Sequence, residues 1–408
     1  MDAILKTCVY CDQARRFTDE HVFPAGMGGD DESYILRNLV CGVCNTGVFS
    51  PLETQLMRNS PWALARLHHQ SSGRSKGAKA SPPEFAHDRC EITGQDGHVW
   101  EAQLVAGGKP LTLPQLQILD DQIRVSGSDA EPVTAFVNEL NGMLADVVLV
   151  IAKKFADNTA TYEVAEFRWD GHDYHLLART QREKPPSEGV WLDSVNGSDG
   201  HAIGWPRIYK RHKGQVVLRV KEAEDCASFL SATKRSLPKV ASQAVPNTES
   251  IVNPLVRVGM RAEPQKIFRA IAKIGFNFAC HEYGEQVVRS SAFDAIRKII
   301  MNGSDGVPIM EMPQFETIFS KEDRKLHVVI LFPQPLHQGY ALGFLFRLFG
   351  GGVQMLWLAD KGVQLPTGTL PVVFTVHYLE NKIYRHDLED YLHYLTMQRA
   401  GRGGESNL

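Results

Sequence analysis

The sequence predicts an α+β protein. Its N-terminal strand–strand–helix module surrounds a four-cysteine knuckle. A mixed α/β region follows, and then C-terminal helices plus an antiparallel sheet. Three observations carry this reading. Four of the seven cysteines fall within the first 44 residues as two Cys-x-x-Cys pairs. Apolar residues recur at helical spacing around residues 43–70, 133–151, 264–278 and 293–301. Four apolar runs, punctuated by glycine and proline, lie between residues 327 and 379. A chain of 408 residues has room for two or three domains at roughly 100–200 residues each. The expected divisions are 1–70, a linker at 71–83, a middle region at 84–245, a C-terminal domain at 246–400 and a tail at 401–408.

Composition excludes several classes. Hydrophobic residues make up 43% and charged residues 22%, as in ordinary globular proteins, and the net charge is −3. No global basic field attracts nucleic acid, so any polyanion site is local. The sequence contains no charged-then-apolar leader and no apolar run of the ~18 residues that a membrane span needs. A cytoplasmic protein without a membrane partner is expected.

The first element is the knuckle. Cys8-Val9-Tyr10-Cys11 and Cys41-Gly42-Val43-Cys44 are separated by 29 residues. In a reducing compartment such pairs read as metal ligands. Two residues between cysteines let one tight turn aim both thiolates at one ion, and two such turns complete a tetrahedron suited to zinc. Four thiolates leave no open position, so this zinc is structural. The competing readings are four unrelated buried thiols or a redox pair. Cys90, Cys226 and Cys280 are solitary and read as core residues.

Between the pairs, Val22 and Phe23 fit a strand that Pro24 ends. Gly28-Gly29 permits a tight turn. Arg37-Asn38-Leu39-Val40 leads into the second knuckle, and Asn45 follows Cys44. From about Val43 to Gln70 the pattern turns helical, with Leu52, Leu56, Trp62, Leu64 and Leu67 as core candidates.

Glu20-His21-Val22-Phe23-Pro24, Gly28-Gly29, Asn38-Leu39 and Cys41-x-x-Cys44-Asn45 together resemble the HNH endonuclease motif. The flanking cysteine pairs resemble its zinc-bearing bacterial version. The resemblance covers residues 4–55. It implies a ββα-metal fold, metal-dependent hydrolysis of phosphodiester bonds in DNA, and, at the level of the family, defence against foreign DNA.

Physical chemistry assigns roles within that motif. A histidine titrating near ~6.5 can take a proton from water at neutral pH, which makes His21 the general-base candidate. A hard divalent cation, Mg²⁺ or Mn²⁺, would act as Lewis acid and takes oxygen ligands. Glu20 offers a carboxylate oxygen and Asn45 an amide oxygen. The amide is a weaker ligand for transition metals than the histidine that the family name expects there, which favours Mg²⁺ or Mn²⁺ over nickel or zinc. Where Glu20 stands, many relatives have aspartate. Adjacent strand residues point to opposite faces, so Glu20 and His21 share a site only if the backbone bends or water bridges them. By the resemblance, Asn38 braces the loop and orients His21.

The remaining elements are simpler. Residues 71–83 lack apolar periodicity, and Arg74, Lys76 and Lys79 there are candidates to track a phosphate backbone. Residues 133–151 read as one helix, and 161–168 and 173–178 as strands. From Arg207 to Lys239 nine basic residues face three acids, with Trp205 and Tyr209 nearby, a composition that fits a nucleic-acid surface or a solvated face. Pro264 opens a helix through Phe278. A second helix, Phe293 to Met301, stops at Asn302-Gly303. Lys273, Arg297 and Lys298 are candidates to face DNA or solvent. The runs His327–Phe332, Ala341–Phe349, Val353–Ala359 and Val372–Leu379 form a meander, closed by a helix from Asp387 to Arg399.

The sequence leaves two rival functions open, a non-catalytic zinc-knuckle DNA-binding regulator and an RNase. A regulatory partner protein or a homodimer is compatible with each.

Overall fold

A computed structural model describes residues 6–70, 83–86, 89–119, 122–156, 159–194, 205–211, 214–242, 251–303, 308–316, 319 and 325–402. The linker residues Arg74, Lys76 and Lys79 lie outside them. The fold is α+β, as expected. The chain forms two compact units. One comprises residues 1–87, 105–108 and 260–408, and the other residues 88–104 and 109–259. The regions expected as separate N- and C-terminal domains therefore belong to one unit, with the middle region inserted between them.

The first unit opens with β1 (Phe17–His21) and β2 (Ile35–Cys41), an antiparallel hairpin. Its register slips between Thr18 and Glu20, where Thr18 faces Val40 but Glu20 faces Leu36. Asn38 sits in that bulge with φ +57°, a conformation that asparagine tolerates better than most residues. The strand ends at His21, but Val22 still donates to the Tyr34 carbonyl at 3.0 Å. The predicted helix over 43–70 is broken into a π-helical turn (Val43–Phe49), α1 (Ser50–Arg58) and α2 (Pro61–His69). Pro61 cannot donate a helical hydrogen bond, and the Ser60 hydroxyl caps Ala63 instead.

The inserted unit holds a sheet of four strands and one of eight. The smaller contains β3 (Arg89–Thr93), β4 (Val99–Leu104) and β5 (Pro110–Thr112). The larger contains β6 (Gln115–Leu119), β7 (Gln122–Ser126), β8 (Val147–Ala156), β9 (Thr159–Trp169), β10 (Tyr174–Arg182), β11 (Val190–Ser194), β12 (Arg207–Lys210) and β13 (Val216–Val220). Helices α3 (Ala130–Met143) and α4 (Cys226–Ser242) pack on it, and β14 (Leu255–Gly259) returns to the smaller sheet. The expected helix over 133–151 ends near Leu144. Beyond it Val148 and Val150 are buried while Val147 is exposed, the two-residue alternation of a strand, to which β-branched residues are suited.

The rest of the first unit contains α5 (Pro264–Tyr283), the short α6 (Glu285–Val288), α7 (Asp294–Asn302) and a six-stranded antiparallel sheet. Its strands are β15 (Met310–Glu311), β16 (His327–Pro335), β17 (Tyr340–Arg347), β18 (Gln354–Val363), β19 (Val372–His377) and β20 (Lys382–Asp387), followed by α8 (Leu388–Arg402). Gly303 ends α7 in the left-handed conformation, φ +72°.

The core explains why the two ends of the chain share a unit. Helix α5 is buried continuously from Ala270 to Cys280, as expected of a helix that is apolar nearly all round. Tyr10 of the first knuckle packs against Phe49 and against Phe276 of α5, with ring centres 4.6 and 4.7 Å away. His327 of β16 is fully buried between Phe23, Phe349 and Tyr378. Its Nε2 donates to the Met27 carbonyl at 3.2 Å, and its Nδ1 accepts from the Phe349 amide at 3.1 Å. Both ring nitrogens are thereby satisfied by the neutral form. Cys90, Cys226 and Cys280 are core residues, as expected.

Candidate functional site

The knuckles bring Cys8, Cys11, Cys41 and Cys44 together, with all four sulfurs within 4.8 Å of one another. Cys8 and Cys44 Sγ are 3.9 Å apart, and Cys11 and Cys41 Sγ are 3.8 Å apart. A tetrahedron with Zn–S bonds of ~2.3 Å has edges of about 3.8 Å. The donor set thus fits a metal such as zinc in both chemistry and spacing. The Cys41 amide donates to Cys8 Sγ at 3.4 Å, which favours thiolate there. The Cys8 thiol is pushed down, chiefly by its hydrogen bond with Cys44, and the same contact drives Cys44 up. Asp12, at φ +54°, closes the first knuckle with its amide on the Cys8 carbonyl at 3.0 Å.

The bulged strand β1 separates the two residues that the motif makes neighbours. Glu20 points inward and is only 3% exposed, whereas Asp19 is exposed and His21 partly so. The Glu20 carboxylate forms an ion pair with Lys273 of α5, which is itself fully buried, and accepts from Asn277 Nδ2 at 3.1 Å. Lys273 Nζ also reaches Glu53 Oε1 at 2.6 Å. Burial raises the Glu20 carboxyl against the pull of Lys273. Burial opposes the Lys273 charge too, but Glu53 and Glu20 outweigh it and hold the ammonium above its usual range. Lys273 therefore faces neither DNA nor solvent. The helix that carries it lies inside the core, where an ammonium survives only when paired.

His21 faces outward and meets a carboxylate that the motif reading did not include. Its Nε2 lies 2.8 Å from Asp31 Oδ1. Its backbone carbonyl accepts the second Asn277 amide hydrogen at 2.9 Å, while Tyr10 Oη donates to Asn277 Oδ1 at 2.6 Å. Asn45 Nδ2 donates to the Asp19 carbonyl at 2.8 Å and to Thr18 Oγ1 at 3.2 Å, which ties the residue after the second knuckle to the outer strand. Asn38 is exposed at its bulge. The structure thus gathers Asn45 with Thr18 and Asp19, and His21 with Asp31, and sends Glu20 to the other side of the strand.

The oxygens of Glu20 already hold an ammonium and an amide in a site closed to solvent. They do not fit a hydrated divalent cation such as Mg²⁺, which keeps several waters. The Asn45 amide oxygen is the proposed ligand that this constraint leaves available.

Of the nine basic residues from Arg207 to Lys239, Lys213 lies outside the described residues, and five others are committed to partners within the fold. Arg207 and Arg219 are buried against Glu91 and Glu101. Lys210 pairs with Glu139, Arg235 with Asp173, and Lys234 lies over the Trp169 ring at 4.8 Å. Tyr209 is buried. Arg297 is held by Asp12 at 3.2 Å and by Asp294, so it braces the first knuckle. No helix among the described residues is long and apolar enough to cross a membrane.

Asp31, Lys273, Asn277 and Tyr10 were outside the motif reading. Lys273 and Asn277 carried a usable signal, being polar residues four apart in an otherwise apolar helical run. Compared with known proteins, the chain matches no protein-family profile, no curated protein and no solved structure.

Proposed function

We propose that this chain is an HNH-type endonuclease that hydrolyses phosphodiester bonds in DNA, with His21 as general base. The observation that supports the reading most is the setting of His21. It stands on the outer face of a hairpin beside a four-cysteine knuckle, with its ring and its backbone carbonyl each held by a separate partner. Hydrolysis requires a group that takes a proton from the attacking water, and a partly exposed imidazole in a fixed orientation meets that need. A Mg²⁺ or Mn²⁺ ion, as the resemblance implies, would supply Lewis-acid stabilisation of the phosphate charge. On the chain's side, Asn45 would offer its amide oxygen, His21 would hold the proton, and Glu20 would act from within, by fixing the strand through Lys273. Defence against foreign DNA is the proposed setting.

A plasmid-cleavage assay with the zinc-loaded full chain tests this. Wild type and His21→Ala are compared in Mg²⁺, Mn²⁺ and EDTA, with single-stranded and duplex DNA and RNA in parallel. Metal-dependent DNA cleavage that is lost in the variant is expected. Binding without cleavage in every metal would favour the zinc-knuckle regulator, and cleavage of RNA alone would favour an RNase.

A further inference from the structure

The geometry points to Asp31 as the positioning residue that fixes the tautomer and ring orientation of His21. This rests on the general-base reading of His21 given above. A carboxylate can only accept at His21 Nε2, 2.8 Å away, so that nitrogen carries the hydrogen and Nδ1 keeps the lone pair. Asp31 thereby makes Nδ1 the atom that takes the proton from water, and its charge steadies the imidazolium that results.

Exposed histidine–carboxylate pairs are ordinarily weak, because two mobile side chains must be ordered to form them. Here the backbone on both sides of the pair is already ordered. The Asp30 carboxylate is buried and accepts the amides of Glu32 at 2.8 Å and Ser33 at 3.0 Å, a turn that straddles Asp31. Lys382 of β20 reaches Glu32 at 3.1 Å. Tyr34 is buried, with its ring stacked 4.6 Å from His281 of α5. At the start of the loop Gly28 has φ +91°, and a β-carbon there would collide with the Tyr378 backbone. Helix α5 and the C-terminal sheet thus hold the Asp31 loop on one side, and Asn277 holds His21 on the other. The fold thus orders the backbone that carries each partner, which lowers the entropy cost of forming the contact.

The test uses the zinc-loaded full chain with ¹⁵N-labelled histidine. Imidazole nitrogen spectra are recorded for wild type, Asp31→Ala, Asp31→Asn and Asp31→Glu, with the His21 signals assigned by their loss in His21→Ala. Wild type is expected to show Nε2–H with an unprotonated Nδ1. In Asp31→Ala the tautomers should mix, and kcat should fall by about 10–100-fold with KM within about twofold, as for other orienting partners of functional imidazoles. Asp31→Glu should recover part of the bias and part of the rate. If Asp31→Ala does not fold, the near-isosteric Asp31→Asn gives the same two readings. A wild-type Nδ1–H tautomer, or a bias and kcat both unchanged without the carboxylate, would overturn the inference. Absence of cleavage in every variant would instead sink the hydrolytic reading, and the spectra would still decide the Asp31–His21 pairing.

Discussion

Asn277 donates an amide hydrogen to the backbone carbonyl of His21 at 2.9 Å, from 256 residues further along the chain. Its other amide hydrogen goes to Glu20 Oε1, and its oxygen receives the hydroxyl of Tyr10 from the first knuckle. One buried side chain therefore links the first cysteine turn, the strand that carries His21, and helix α5. Every polar atom of Asn277 is used, so the link is specific in orientation as well as favourable in energy.

Asn277→Ala is expected to lower stability by about 1–3 kcal/mol, because it takes the short hydrogen bond from the buried Tyr10 hydroxyl and leaves the Glu20 carboxylate with Lys273 alone. Bound zinc should be unchanged, since no cysteine touches Asn277 through a hydrogen bond. Urea unfolding and metal analysis on the same preparation check both statements. Full stability in the variant would mean that the network carries no weight.

The buried His327 predicts acid lability. Burial holds its imidazole down to about 3, against about 6.5 in the unfolded chain. The unfolded state then binds the proton more readily. The contribution of His327 to stability is complete above about pH 6.5 and is lost as pH falls from there towards 3, at up to about 1.4 kcal/mol per pH unit. The Phe349 amide reinforces the sign, because it needs an unprotonated Nδ1. Thermal unfolding between pH 7 and pH 4 should show this slope, and the slope should flatten in His327→Phe even though that variant loses two hydrogen bonds. A slope of equal size in the variant would place the acid-sensitive group elsewhere.

Local signals were legible in the sequence where the chain's own chemistry dictates the geometry. The Cys-x-x-Cys spacing gives a tight turn whatever the surroundings, and Asn302-Gly303 stops α7 because glycine accepts the left-handed conformation. The apolar runs from His327 to Leu379 become β16 to β19, whereas β20 carries no such run, since Lys382–Asp387 is charged and lies at the sheet edge. Failures came where tertiary packing decides. Val147 to Ile151 continues a helical spacing and also alternates, and only the neighbouring strands select the second reading. The direction of Glu20 depended on a partner 253 residues away, and nothing local announces that the hairpin lies on α5. The same is true of Arg207 and Arg219, whose acidic partners Glu91 and Glu101 lie on other strands.

The Glu20–Lys273–Glu53 cluster separates a structural role for Glu20 from a metal-binding one. Lys273→Met removes the only cation that the described residues supply to it, leaves Glu20 buried beside Glu53, and is expected to cost about 3–5 kcal/mol. Glu20→Gln in the same chain neutralises the stranded charge and should recover much of that loss, because an uncharged pair in a closed site carries no comparable desolvation penalty. The recovery is the informative result. A metal ligand would behave differently: Glu20→Gln alone would leave stability nearly intact while weakening the response to Mg²⁺ or Mn²⁺. Unfolding of the two single variants and the double variant, with cleavage titrated against each metal, therefore places Glu20 either inside the wall that holds β1 or in contact with the reacting phosphate. Strong coupling in stability with an unshifted metal titration is the outcome that its burial predicts.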